Sequence, residues 1–289
     1  MLLNCHTYYS LKYGTLSLEE MFEELVRGKH ECFALTDINN TSTCMYALKD
    51  GPKHGLHTVV GVDFRNTAGK ALSSADQKYV ALARNGQGFQ EINVHLSYHL
   101  HNNIPFDDRA PHFENAFVIY PFENYPRYRK LKEHEFIGIR PEQVPNLHRS
   151  QWARHPQKLV ALQTATFRHK KDFNAHRLLR AIDNNVLLSQ LHPQEQSKNT
   201  QLYWSAEQTV NNYADFPVLV TNAYNLLKNC QFNFQFGTNK NKNPYTTSVP
   251  EDCDFLRARA YEGLPYRYGN NPPKDVLKRL EHELEMIKK

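Results

Sequence analysis

Cysteine is the first shortage. The five present, Cys5, Cys32, Cys44, Cys230 and Cys253, are widely scattered, and none forms a CxxC pair. Neither a disulfide framework nor a cysteine-based zinc site is expected. The pattern reads as reduced, mostly buried thiols in a cytoplasmic protein. Long apolar runs are also missing. Nothing approaches the roughly 18 residues of a membrane span, so no membrane partner is expected. The opening six residues lack the basic stretch and long apolar stretch of a signal peptide. The twelve glycines form no GxGxxG or GxxxxGKS phosphate loop and no GxSxG elbow, and Gly86-Gln87-Gly88 is too short to replace them. No sign of charge dominates: 35 Lys and Arg stand against 30 Asp and Glu, a net +5 on 289 residues. That balance permits a nucleic-acid partner without demanding one.

What is present is enough for a globular fold. Sixteen Phe and sixteen Tyr supply large apolar side chains, and 40% of the chain is hydrophobic. The length allows one large α/β domain or two modest ones. The clearest pattern lies in residues 1–65. A short strand covers Met1 to Tyr8. Ser17-Leu18-Glu19-Glu20 is a capping box, and Leu18, Met21, Phe22, Leu25 and Val26 recur at helical spacing up to Gly28. Cys32-Phe33-Ala34-Leu35 and Thr58-Val59-Val60-Gly61-Val62 are apolar throughout, with a helix expected between them at about 43–54. This β-α-β-α-β order, with strands covered on both faces, points to a parallel sheet or barrel. Further strands are expected at 78–83, 116–120, 135–139 and 158–163. Asp172 is expected to cap a long helix carrying Phe173, Leu179, Ile182, Val186 and Leu187, and Ser205 to open another through a second capping box. A further helix covers Asn222 to Asn229.

The division expected is a barrel domain over 1–236, a linker over 237–250 and a helical segment over 251–289. One C-terminal helix runs from Glu251 to a stop at Gly263. The next opens at Asn271-Pro272-Pro273 and carries Val276, Leu277, Leu280, Leu284 and Ile287 on one face. That stripe meets the end of the chain without a stop signal, which suggests a piece of a longer protein.

Active sites of parallel barrels gather at the C-terminal ends of the strands. The polar residues expected there are Asn4 and His6, then Asp37, then Asp63, and finally Gln163, Thr164 and Thr166. One imidazole and two carboxylates can ligate a divalent metal, whereas Asn and Thr are poorer donors. The alternative is that the carboxylates cap helices or pair with nearby basic groups.

These residues also carry a resemblance. Asn4-Cys5-His6-Thr7, Tyr9-Ser10-Leu11, Ala34-Leu35-Thr36-Asp37-Ile38-Asn39-Asn40 and Val60-Gly61-Val62-Asp63 resemble the opening of a PHP (polymerase and histidinol phosphatase) domain. The likeness is to the PHP domain at the N-terminus of bacterial DNA polymerase III alpha subunits. It continues through Leu82 to Phe89, through Asp172 to Leu179, and through Phe255-Leu256-Arg257 with Tyr261 to Leu264. The resemblance implies a distorted (β/α)7-type PHP barrel with a C-terminal helical extension leading toward an absent polymerase palm.

The departures from the family pattern fall on the metal ligands. The first His of the family's H-x-H is Asn4, the His after Thr-Asp is Ile38, and the Glu after the third strand is Asp63. In the later block a carboxylate and an imidazole are replaced by Thr164 and Thr166. His6, Asp37 and Asp63 remain as metal candidates. The resemblance therefore implies a degenerate, structural domain in which Asn4, Thr164, Thr166 and their neighbours hydrogen-bond one another. No cofactor is expected in this piece. The parent would synthesise DNA with magnesium in its palm. The expected partners are the remainder of the polymerase subunit, DNA and a proofreading exonuclease subunit. Two rivals stay open: a PHP phosphoesterase or 3'-5' exonuclease holding zinc or manganese on His6, Asp37 and Asp63, and a pure interaction module.

Other histidines compete for attention. His95, His99 and His101 contain an H-x-H of their own but match no ligand block and are expected on the surface. His176 is expected to be a hydrogen-bonded helix residue. Basic and aromatic residues mix at Tyr125 to Lys130 and at Phe167 to Lys171, which suits a nucleic-acid backbone or a solvated face. The Asn239 to Lys242 stretch suits DNA contact or a flexible loop.

Overall fold

The computed structural model describes residues 1–66, 76–125, 130–238 and 245–288. Most of the Tyr125 to Lys130 stretch, and all of Asn239 to Lys242, lie outside them. The chain forms two compact units, Met1–Phe234 and Gln235–Lys289.

In the first unit the order is β1 (Leu2–Cys5), α1 (Leu18–Arg27), β2 (Cys32–Leu35), α2 (Cys44–Asp50), β3 (His57–Arg65), β4 (Gln77–Ala83), α3 (Gly86–Asn102), β5 (Ala116–Pro121) and β6 (Glu135–Ile139). There follow α4 (Val144–Leu147), β7 (Leu159–Ala161), β8 (Thr164–Ala165), α5 (Lys170–Asn184), α6 (Ala206–Asn212) and α7 (Val218–Lys228). The short apolar runs form strands because both faces are covered, and β1 and β2 are buried at every position. The capping box at α1 forms as expected: Ser17 accepts from the Glu20 amide, and the Glu20 carboxylate accepts from Ser17 N–H at 2.8 Å. Met21, Phe22 and Leu25 face inward, and Phe22 meets Phe33 of β2 edge-on at 6.0 Å.

The strands form one sheet in the order β7-β6-β5-β4-β3-β2-β1-β8. Its two end strands are consecutive in the chain, separated only by Leu162 and Gln163. Three residue steps reach at most about 11 Å, so the edges must lie side by side and the sheet is curled round on itself. The stretch 159–165 acts as one stave whose first half pairs with β6 and whose second half pairs with β1. The expectation of a parallel sheet needs one correction: β4 runs antiparallel to both β3 and β5. Only residues 66–76 separate β3 from β4, and a parallel return needs a crossover of a dozen or more residues. Close β3–β4 approach depends on Gly61, where a Cβ would sit 2.0 Å from the Ala81 carbonyl oxygen.

Three sequence expectations fail in detail. Asp172 does not cap α5. It sits in the first turn, and its carboxylate accepts from the Arg168 amide at 3.0 Å and from the Arg168 guanidinium. His95 and His99 are not surface residues. His99 is buried, and His95 lies against Phe64, Phe106 and Phe113 with Nε2 2.8 Å from the Tyr79 hydroxyl. Burial lowers the His95 pKa to about 4.

The third concerns the second unit, which consists of α8 (Val249–Tyr268) and α9 (Lys274–Lys288). Gly263 does not end its helix. The helix continues through Gly263 and Pro265 to a cap at Gly269, whose φ of 71° suits glycine. A single exposed glycine costs a helix only about 1 kcal/mol, too little to break it. Arg257 and Tyr261 of α8 both bind Glu281 of α9.

Candidate functional site

The mouth of the barrel is built by the C-terminal ends of β1, β2, β3 and β8. Side chains alternate across a strand, so residues two apart share a face. Asn4 and His6, Asp63 and Arg65, and Thr164 and Thr166 are three such pairs. Register sets them opposite one another, with Asn4 paired to Thr164 and the His6 amide donating to the Ala165 carbonyl at 2.9 Å.

Asp63 is the centre, with no exposed surface. Arg65 grips its carboxylate with two parallel bonds, Nη2 to Oδ2 at 2.7 Å and Nε to Oδ1 at 3.2 Å. Asn4 Nδ2 and His6 Nε2 lie 3.2 and 3.1 Å from the same Oδ2. An ionised carboxylate only accepts, so the His6 contact places a proton on Nε2. Asn4 also donates to Thr164 Oγ1 at 3.0 Å and accepts from Thr36 Oγ1 at 2.6 Å. His6 Nδ1 is 3.0 Å from Thr166 Oγ1. Five of the seven sequence-selected residues thus form one polar network, while Gln163 instead donates to the carbonyls of Thr164 and Leu202. Burial alone would raise the Asp63 pKa, but the Arg65 charge and the His6 and Arg65 hydrogen bonds outweigh it and hold the carboxyl well below its usual range.

Asp37 stands apart. Its oxygens are turned to the loop after β1, accepting from the Thr7 amide at 2.7 Å, the Thr7 hydroxyl at 2.7 Å and the Ser10 hydroxyl at 2.8 Å. Burial raises its pKa against these bonds. Ile38 is buried, and its amide donates to Ser10 Oγ at 2.9 Å. The loop is tight enough to need Gly14, where a Cβ would lie 1.8 Å from the Thr7 carbonyl oxygen.

Two residues of this site carried no role in the sequence reading. Arg65 is 1% exposed, and its guanidinium lies over the Tyr13 ring at 4.9 Å. The available signal was its position, two residues beyond Asp63 on a strand buried on both faces, where a basic residue must have a partner. Asn39 takes the left-handed conformation (φ 49°) and clasps the Arg65 backbone, donating to its carbonyl at 2.8 Å and accepting from its amide at 3.0 Å. No periodicity announces such a clasp.

The donor set does not fit a catalytic metal cluster. Among the described residues no three His, Cys, Asp or Glu side chains are close enough together to hold an ion. The Asp63 oxygens already receive Asn4, His6 and both Arg65 donors, and His6 Nε2 carries a proton toward Asp63. A cation there would meet the guanidinium charge and would have to displace it. The mouth is chemically a buried ion pair in a hydrogen-bonded collar.

Residues 3–136 match the family model of the PHP domain. Over 90 residues the chain is 28% identical to the DNA polymerase III subunit alpha of Ureaplasma parvum serovar 3, a match spanning 31% of this chain and 8% of that protein. This chain therefore corresponds to a small part of that relative. A solved structure from Bifidobacterium adolescentis, described as a metal-dependent phosphoesterase, aligns over 73% of this chain and 95% of its own at 10% identity, with a TM-score of 0.27. So loose a superposition carries no argument about function. Among the described residues no helix is long and apolar enough to cross a membrane.

Proposed function

We propose that this chain is the PHP portion of a DNA polymerase III alpha-type subunit, and that its barrel is a structural element without chemistry of its own. The observation that carries the reading is Arg65 on Asp63. Where a hydrolytic PHP site would bring metal charge to a buried carboxylate, this chain brings a guanidinium tied to the same strand. The polar collar of Asn4, His6, Thr164 and Thr166 then crosslinks β1, β3 and β8 as metals would. Polymerisation in the parent would belong to palm carboxylates and magnesium outside this sequence. The barrel's contribution is a rigid body against which the remainder of the subunit packs. A proofreading exonuclease subunit is a further proposed partner.

Metal analysis tests the reading. The purified chain, incubated with manganese or zinc and then desalted, should retain well under about one ion per molecule, as expected of a site lacking enough anionic ligands. Retention of two or three ions, together with phosphoester hydrolysis lost on His6→Ala, would establish the phosphoesterase instead.

A further inference from the structure

The charge of this molecule is unevenly distributed. Between residues 124 and 171 there are eleven Lys and Arg against three Asp and Glu, leaving 24 basic against 27 acidic residues in the rest of the chain. This stretch contains β6 and β7 and most of the sequence that precedes each of them. Its few acids are mostly occupied. Glu135 is buried and bound by Arg109, and Glu142 pairs with Lys198. Several of its cations are occupied too: Arg140 by Glu123 and Gln77, Lys158 by the carbonyls of Lys132, Glu133 and Glu135, and Arg168 by Asp172 and Glu20.

Six cations remain among the described residues. Lys130, Lys132, Arg149, Arg154, Lys170 and Lys171 are exposed and make no ion pair there. Only Arg149 and Arg154 among them carry guanidinium forks. The two arginines sit on the crossover between β6 and β7, either side of Trp152. That crossover is pinned by buried Val144 and Leu147, and by Trp152 meeting Tyr125 of the neighbouring crossover edge-on at 5.4 Å. Forked donors are thus presented from an anchored segment, with His148 and His155 exposed beside them.

From this arrangement we infer that the β6–β7 crossover is a docking face for the phosphate backbone of nucleic acid. Guanidinium forks match phosphate oxygens bidentately, and a local excess of positive charge concentrates a polyanion. The face uses none of the residues of the collar at the mouth. The inference rests on the replicase reading only in choosing nucleic acid over an acidic protein, and its test is independent of metal content.

The test uses the whole chain and a fluorescein-labelled DNA duplex of about 20 base pairs, followed by anisotropy between about 50 and 200 mM salt. Arg149→Gln with Arg154→Gln should weaken binding about tenfold at the lower salt and reduce the log–log salt slope by about 1.8, one phosphate contact for each arginine. Lys49→Gln with Lys278→Gln removes equal charge elsewhere and should change affinity less than about twofold. Equal losses in the two double variants, or no salt-dependent binding by the unaltered chain, would overturn the inference; the second outcome would favour an acidic protein on this face. Either failure leaves the metal analysis, and hence the structural reading of the barrel, standing on its own result.

Discussion

Helices α1 and α5 have similar amphipathic sequences and opposite fates. In α1 the apolar stripe is buried: Met21, Phe22 and Leu25 meet an apolar sheet. In α5 the inward residues are Asp172, His176, Arg180 and Ala181, while Leu178 and Ile182 are 53% and 62% exposed. The reason is what each helix faces. His176 Nδ1 lies 2.7 Å from the Tyr13 carbonyl oxygen, and its Nε2 accepts from the Ser197 amide at 2.9 Å. Arg180 donates to the Glu195 carbonyl and to Asp183, and its guanidinium lies over the Tyr13 ring at 5.9 Å, the ring that Arg65 also covers. Periodicity reveals that a helix has two faces. It does not reveal which of them points inward when the surface beneath is polar.

This contrast can be broken or sharpened by measurement. The largest effect is expected at the ion pair beneath the mouth. Arg65→Ala leaves Asp63 buried and unneutralised, which should cost about 3–5 kcal/mol in urea unfolding. Asp63→Asn combined with Arg65→Met should regain at least half of that loss, and a double variant no better than the single would remove the charge argument. In α1, Leu25→Ala should cost about 2–5 kcal/mol as a core truncation. A loss below about 1 kcal/mol would mean that α1 is not seated as described.

For α5 the informative variable is pH. Burial lowers the His176 pKa to about 4, against 6.5 for an ordinary histidine. Between these values the unfolded chain binds the proton more tightly. Stability from this group is therefore complete above about pH 6.5 and falls by about 1.4 kcal/mol per unit as pH drops toward 4. His176→Gln should lose that component of the slope, and an unchanged slope would show that the imidazole is solvated. The smallest effect is expected from Ile182→Ala on the outward face of the same helix. It should lie within about 0.5 kcal/mol of the parent, whereas a core-like loss would restore the simple amphipathic reading.

Much of the barrel was legible because its strands are covered on both faces and therefore read as unbroken apolar runs, as at Cys32–Leu35 and Ala116–Pro121. Asn4, His6, Asp63, Thr164 and Thr166 were legible as a group because strand-end polar residues two apart must share a face. Asp37 was found but misplaced: its strand ends before it, and the loop's hydroxyls capture its carboxylate. Arg65 was not legible because it lies beyond the apolar run Thr58–Val62, although β3 extends to it. The inward face of α5 was missed because its partners, Tyr13 and the 195–197 loop, are distant in sequence, and hydrogen bonds to backbone leave no periodic trace.

The shared stave at 159–165 has a consequence for how this molecule behaves in company. An open sheet offers a row of unpaired amides on which another chain can grow as an added strand. Here the two terminal strands are three and two residues long and continuous with each other. A newcomer would find too short a ladder to template on, so the fold guards itself against strand-by-strand aggregation by spending one segment on both of its borders.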